Sequence, residues 1–168
     1  MEVFFDLDYH SLIDLESYGH DIEASWLIDR GCQVLGDDKW TQIMVPISRA
    51  LAQTTYQNAY DTVVHALYNE REGTQIDRQK IWWVQAEAVV GFYNAYQKMP
   101  EKTEYRQAAE EIWHFICENM IDPQSREWYE SIRADGSREP GQALVHPWKC
   151  PYHNGRMCME MMERLAEK

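Results

Sequence analysis

Between positions 80 and 97 the chain reads Lys-Ile-Trp-Trp-Val-Gln-Ala-Glu-Ala-Val-Val-Gly-Phe-Tyr-Asn-Ala-Tyr-Gln. Wound at 3.6 residues per turn, Trp82, Trp83, Ala86, Ala88, Val89, Val90, Phe92, Tyr93 and Ala95 leave almost no polar face, so this helix must be covered on more than one side. The stretch from about 102 to 120 differs. Its apolar residues Tyr105, Ala108, Ala109, Ile112, Phe115, Ile116 and Met120 form one stripe, with Glu104, Gln107, Glu110, Glu111 and Glu118 over most of the remainder. A covered helix followed by a one-sided one is the alternation that an inner and an outer ring of helices require. The expected class is therefore all-α with short strands in its connections; the pattern resembles an incomplete α/α toroid, though periodicity does not choose among helical architectures. A plain helical bundle or a helical repeat array would give similar strings.

The other elements fit that frame. Residues 3 to 5 and 9 suit a short strand or an extended entry, after which a helix over about 20 to 35 runs through Ile22, Trp26, Leu27, Val34 and Leu35 and stops at Gly36. Ile43, Met44, Ile47, Ala50, Leu51 and Thr54 step by three and four, which predicts a second helix with Pro46 near its start, where proline is best tolerated. From about 65 to 81 the helical period fails, and the chain reads as extended segments and turns. The long polar segment 123 to 152 has strand character only at Trp128 to Ile132, and a last helix begins near 154 with Met157, Met161, Met162 and Leu165. With no linker rich in Pro, Gly or Ser and no short repeat, residues 1–168 are expected to form a single domain.

Charge and composition exclude several functions. With 28 acidic against 16 basic residues and a net charge of −12, the surface repels a nucleic-acid backbone, so no nucleic-acid partner is expected. No apolar run approaches the ~18 residues that cross a bilayer, and the amino terminus lacks a basic region ahead of its apolar residues. A cytoplasmic protein with no membrane contact is the expectation, with Cys32, Cys117, Cys150 and Cys158 reduced. The 7 Trp and 10 Tyr outnumber the 4 Phe, and aromatics with a polar handle suit a site that is apolar on one side and wet on the other. A tyrosine-rich core would account for them equally.

Three segments set polar groups beside tryptophan: Gly19-His20-Asp21-Ile22-Glu23-Ala24-Ser25-Trp26, Trp82-Trp83-Val84-Gln85-Ala86-Glu87-Ala88, and Trp148-Lys149-Cys150-Pro151-Tyr152-His153-Asn154-Gly155-Arg156. His20 and Glu23, three apart at a helix start, can share a face, so the carboxylate can orient the imidazole. An ordinary amino-terminal charge pair has the same spacing. Trp83 and Glu87, four apart, can set a flat stacking surface beside a hydrogen-bond acceptor; spacing alone favours a core tryptophan with a solvated glutamate, but an acid inside an otherwise apolar helix should be paired or functional. Cys150, His153 and Cys158 resemble half of a zinc site but lack a second pair of ligands, so no metal is expected. The alternative is a loop, fixed by Pro151, that delivers His153 and Trp148 to a cleft. His10, His65, His114 and His146 have no comparable surroundings and read as surface or satisfied histidines. No phosphate loop, dinucleotide fingerprint or nucleophile elbow occurs, and no cofactor is expected.

In this order and at these separations the three segments resemble the last three signature segments of the cellobiose 2-epimerases, relatives of the N-acylglucosamine 2-epimerases. The resemblance covers essentially the whole chain and implies the carboxy-terminal half of an (α/α)6 barrel. It further implies an isomerase that inverts C2 at the reducing end of a β-linked disaccharide such as cellobiose or mannobiose, without metal or organic cofactor. By resemblance His20 and His153 are the catalytic acid-base groups and Glu23 orients His20. Trp83 and Trp148 stack on the sugar and Glu87 binds a hydroxyl. Arg156 matches the motif too, but either catalysis or loop packing would explain it.

The family's further histidine and its arginine have no matching positions here, so the fragment is expected to be inactive alone and to self-associate through the broken edges of the ring. The other readings are an N-acylglucosamine 2-epimerase, a non-catalytic carbohydrate-binding module, and a glycoside hydrolase using Glu23 and Glu87.

Overall fold

The helix rich in apolar residues on all sides forms the centre of the molecule. In the computed structural model, which describes residues 2–138 and 140–166, it runs from Trp82 to Lys98, and every residue from Val84 to Ala95 is buried. The helices before it are α1 (Tyr18–Leu35) and α2 (Asp38–Ala59); it is α3, followed by α4 (Thr103–Phe115) and α5 (His153–Ala166). Helix α3 packs against α1, α4 and α5, while α2 packs mainly against α1. The expected stripe of α4 is the buried one, Tyr105, Ala108, Ala109, Ile112 and Phe115, and the helix continues as a π-turn over Ile116–Met120.

Helix α2 departs from expectation in two ways. Its N-cap is Asp37, whose carboxylate accepts from the amides of Lys39 and Trp40, so Pro46 lies well inside the helix. Pro46 and Gln42 are exposed, so the Gln42 carbonyl that proline leaves without its helical partner faces water. The buried face is also a different one: Ser48, Ala52, Thr55 and Ala59. Small residues bring α2 close to α1, and Ser48 Oγ donates to the Ser25 carbonyl across that contact. Ile43 and Ile47 of the predicted apolar stripe, with Trp40, remain about half exposed.

Short antiparallel strands connect the helices. β1 (Leu15–Ser17), β4 (Glu70–Glu72) and β5 (Gln75–Asp77) form one sheet in the order β1-β4-β5, and β2 (Tyr60–Asp61) pairs with β3 (Ala66–Leu67). The buried Gln85 amide of α3 receives the Leu67 N–H and donates to the Leu67 carbonyl, as a neighbouring strand would. β6 (Lys80–Ile81) pairs with β7 (Ser131–Ile132), which ties the segment after α4 to the start of α3. The expected strand over Trp128 to Ile132 thus narrows to its last two residues, with Trp128 making a single bridge to Ile121. The entry region likewise holds one bridge, Phe5 with Ser11.

β1 runs directly into α1 and β6 directly into α3. Two helix N-termini are thereby set side by side, and two glycines permit the approach. A Cβ on Gly91 would stand 2.5 Å from Ile22 Cγ1 and 2.8 Å from the Ile22 carbonyl oxygen, and one on Gly19 would stand 2.4 Å from the Trp83 ring. Among the described residues no helix is long and apolar enough to cross a membrane.

Candidate active site

The N-terminal ends of α1, α3 and α5 bound an open cleft of about 330 Å³ lined by His20, Glu23, Trp83, Trp148 and His153, with His146 and Glu130 on its wall. Residues 133 positions apart in sequence meet here, since Glu23 pairs with Arg156. Trp83 lies between the two candidate histidines. Its ring is 4.9 Å from that of His20 and 5.4 Å from that of His153.

His153 is the first residue of α5. Its Nδ1–H donates to Glu87 Oε1 at 2.7 Å, which leaves Nε2 as the position that can take or give a proton. Glu87 is 1% exposed and both of its oxygens accept: Oε1 also accepts from Arg156 at 2.7 Å, and Oε2 accepts from the Trp26 indole at 2.9 Å. Burial raises the Glu87 carboxyl, but the bonds from His153, Arg156 and Trp26 outweigh it and hold it below the ordinary carboxylate value. The resemblance makes Glu87 the residue that binds a sugar hydroxyl; in this structure its oxygens meet His153, Arg156 and Trp26, and the contact with His153 can orient that imidazole.

The resemblance likewise makes Glu23 the residue that orients His20. His20 Nδ1 shares a 2.7 Å hydrogen bond with Ser17 Oγ, whereas Glu23 accepts from the Arg156 guanidinium. The predicted His20–Glu23 pair is therefore not the arrangement found among the described residues. Helix spacing allows both, and Arg156, arriving from α5 with a full charge, is the stronger partner for a carboxylate. Glu23, Glu87 and His153 offer ligand-type atoms within 4.8 Å of one another. The positive charge at that point is the arginine's, since its guanidinium donates to both carboxylates.

Trp148 is 90% exposed at the mouth of the cleft. The loop that carries it is pinned from beneath: buried Lys149 donates to the Leu144 carbonyl at 2.6 Å and to Glu127 at 3.1 Å, beside the Trp82 ring. His146, read from sequence as a surface or satisfied histidine, lines the cleft and pairs with Glu130 at 3.1 Å. Cys150 and Cys158 are exposed free thiols. Beyond the predicted set the site contains Ser17, Trp26, Glu130, His146 and Arg156. Trp26 and Arg156 already stood in the quoted motif segments, and Ser17 lies three residues from His20 and so one helical turn away.

The profile of the N-acylglucosamine 2-epimerases matches residues 5–154. The chain belongs to that family. A cellobiose 2-epimerase of Eubacterium cellulosolvens is 45% identical over 164 residues, covering 97% of this chain and 40% of its own length. The crystal structure of a sugar epimerase from a ruminal bacterium superposes with a TM-score of 0.92 at 42% identity, over 98% of this chain and 42% of that one. The cellobiose 2-epimerase from Bacillus thermoamylovorans B4167 superposes with a TM-score of 0.88 at 43% identity, over 98% of this chain and 41% of that one. The chain thus spans about two fifths of the length of the 2-epimerase relatives it matches. In epimerase terms it carries three helix starts that converge on one aromatic cleft.

Proposed function

We propose that this chain is the carboxy-terminal portion of a sugar 2-epimerase and forms part of an (α/α)6 barrel whose cleft holds a β-linked disaccharide, cellobiose or mannobiose. The observation that carries the reading is the placement of His20 and His153 against the same Trp83 ring, on the wall of one cleft. In the open-chain sugar the C1 carbonyl acidifies the C2 hydrogen. One histidine takes that proton, the C–H electron pair becomes the C1–C2 double bond, and the carbonyl oxygen takes the negative charge of an enediolate. The other histidine returns a proton to C2 from the opposite face and the carbonyl re-forms. Imidazole suits both steps because its ordinary pKa, about 6.5, permits uptake and release near neutrality. Trp83 and Trp148 supply stacking surface for the sugar rings.

A hydrolase is the weaker reading. Inverting or retaining hydrolysis needs two carboxylates facing the scissile bond, whereas Glu23 and Glu87 are bound by one arginine and Glu87 is buried. The chain alone is proposed to be inactive, since it spans 40% of a matched relative's length and, by resemblance, the family's further histidine and arginine, which would stabilise the enediolate oxygens, have no matching positions in it. Losing one such donor commonly costs about 100-fold or more in rate.

The test is a chimera in which this chain replaces the matching segment of the Eubacterium cellulosolvens relative. Incubated with cellobiose in deuterated water, it should exchange the C2 hydrogen and form the mannose epimer; His20→Asn and His153→Asn should each abolish epimer formation, and exchange should persist only in the variant that keeps the histidine facing the C2 hydrogen of cellobiose. A folded chimera that binds cellobiose without exchange would favour a binding module. Release of monosaccharide would favour a hydrolase. Exchange by the 168-residue chain itself would refute its proposed inactivity.

A further inference from the structure

Arg156 joins three helices at one point. From the first turn of α5 its guanidinium donates to Glu23 of α1 and, at 2.7 Å, to Glu87 of α3. The same nitrogen lies 3.5 Å from His153 Nδ1, and the other terminal nitrogen donates to the Tyr152 hydroxyl at 2.6 Å. The plane of charge sits over the Trp26 ring at 5.1 Å and over the Tyr152 ring at 4.6 Å. His153 and Arg156 therefore compete for one oxygen, Glu87 Oε1, inside a pocket where Glu87 has no water to share its charge.

That competition has a direction. A buried carboxylate facing an imidazole alone would hold it as imidazolium, and a bound imidazolium cannot act as a base. A guanidinium on the same oxygen takes up part of the carboxylate's charge and adds a like charge beside the ring, and both effects disfavour the protonated histidine. The groups that set the balance are Glu87 from α3, Arg156 from α5 itself, Glu23 and His20 from α1, and Glu130 and His146 from the segment on either side of β7. Glu23 works through Arg156: by accepting from the same guanidinium it draws charge away from the Glu87–His153 contact.

We infer that Arg156 is a positioning residue of this site, which divides the negative charge of Glu87 with His153 and so keeps the His153 ring oriented yet free to lose its proton. Its catalytic meaning rests on the epimerase reading; the charge balance does not. The alternative is a staple that merely holds α1, α3 and α5 together.

The two separate in an NMR titration of the histidine rings of the purified 168-residue chain. Arg156→Met should raise the His153 midpoint, because Glu87 then faces the imidazole without the guanidinium, while Arg156→Lys, which keeps the charge, should return most of that shift. Glu23→Gln should move the midpoint the other way, because the guanidinium then bears on Glu87 and His153 undivided. His20, bonded to Ser17, reports whether the cleft is intact. An unmoved His153 midpoint in folded Arg156→Met, or shifts of one sign in all three variants, would overturn the assignment. Should Arg156→Met fail to fold, a Glu23→Gln midpoint that does not fall overturns it equally. In the chimera the acid limb of the kcat/KM profile should rise with Arg156→Met and recover with Arg156→Lys. Midpoints that shift in a chimera without exchange activity would leave Arg156 as assigned and remove the epimerase reading. Exchange with unmoved midpoints would do the reverse.

Discussion

Glu87→Gln is close to isosteric and removes only the charge, which makes its cost readable from the bonds that Glu87 accepts. The side chain takes hydrogen bonds from Trp26 Nε1, His153 Nδ1 and Arg156. A glutamine has one acceptor oxygen, so if that oxygen stays with His153 and Arg156 its amide group meets the Trp26 indole, donor against donor, in a place water does not reach. Charged hydrogen bonds are each worth roughly 1.5–3 kcal/mol, and stripping one partner from a buried ion pair costs about 3–5 kcal/mol. Arg156 retains Glu23, so the loss should fall near the lower end, about 2–4 kcal/mol at neutral pH. The pH dependence carries a sign. Because the folded-state carboxyl lies below its ordinary 4.5, its stabilisation is complete above that value and is lost as pH falls through the folded-state value. Urea unfolding of the chain and its variant should therefore show a full gap at pH 7 that narrows in acid. A gap under about 0.5 kcal/mol at pH 7, the range of an ordinary surface change, or one that stays constant into acid, would refute the arrangement described here.

Gly91→Ala places a methyl against the Ile22 backbone carbonyl; overpacking of about 1–3 kcal/mol against roughly 1 kcal/mol of gained helix propensity predicts a lowered melting temperature, and an unchanged or raised one would show that α1 and α3 part easily. Trp148→Ala should leave stability within about 0.5 kcal/mol, since the side chain is 90% exposed. In the chimera the same change should weaken cellobiose binding by roughly 1–3 kcal/mol, and a titration with unaltered affinity would remove Trp148 from the sugar site. An apolar groove of about 500 Å³ between α3, α4 and α5, bordered by Val89, Tyr93, Trp113, Met157, Met161 and Met162, should make the isolated chain self-associate. Met162→Asp should then reverse that association in sedimentation velocity, whereas a wild-type chain that sediments as a monomer at high concentration would contradict it.

Periodicity placed α3 and α4 together with their buried faces, because one is apolar all round and the other carries one apolar stripe; it located α1 and α5 but not their buried faces, since Leu27, Val34 and Leu35 of α1 and Met162 and Leu165 of α5 are exposed. It failed on α2, where the face that touches α1 is made of Ser48, Ala52, Thr55 and Ala59. Close helix contact selects small residues, and small residues carry little hydrophobic signal. The three motif segments and the family resemblance singled out His20, Glu23, Trp83, Glu87, Trp148 and His153 before any contact was known. Which of these touch each other was beyond the sequence. Helical spacing offered His20 as the partner of Glu23, but a guanidinium 133 residues further on won that carboxylate, and the acid expected to meet a sugar proved to be closed inside the protein by Trp26, His153 and Arg156. Local spacing lists the partners a side chain could reach within its own helix. The choice among them and distant competitors is made by burial and charge, which exist only once α1, α3 and α5 have come together.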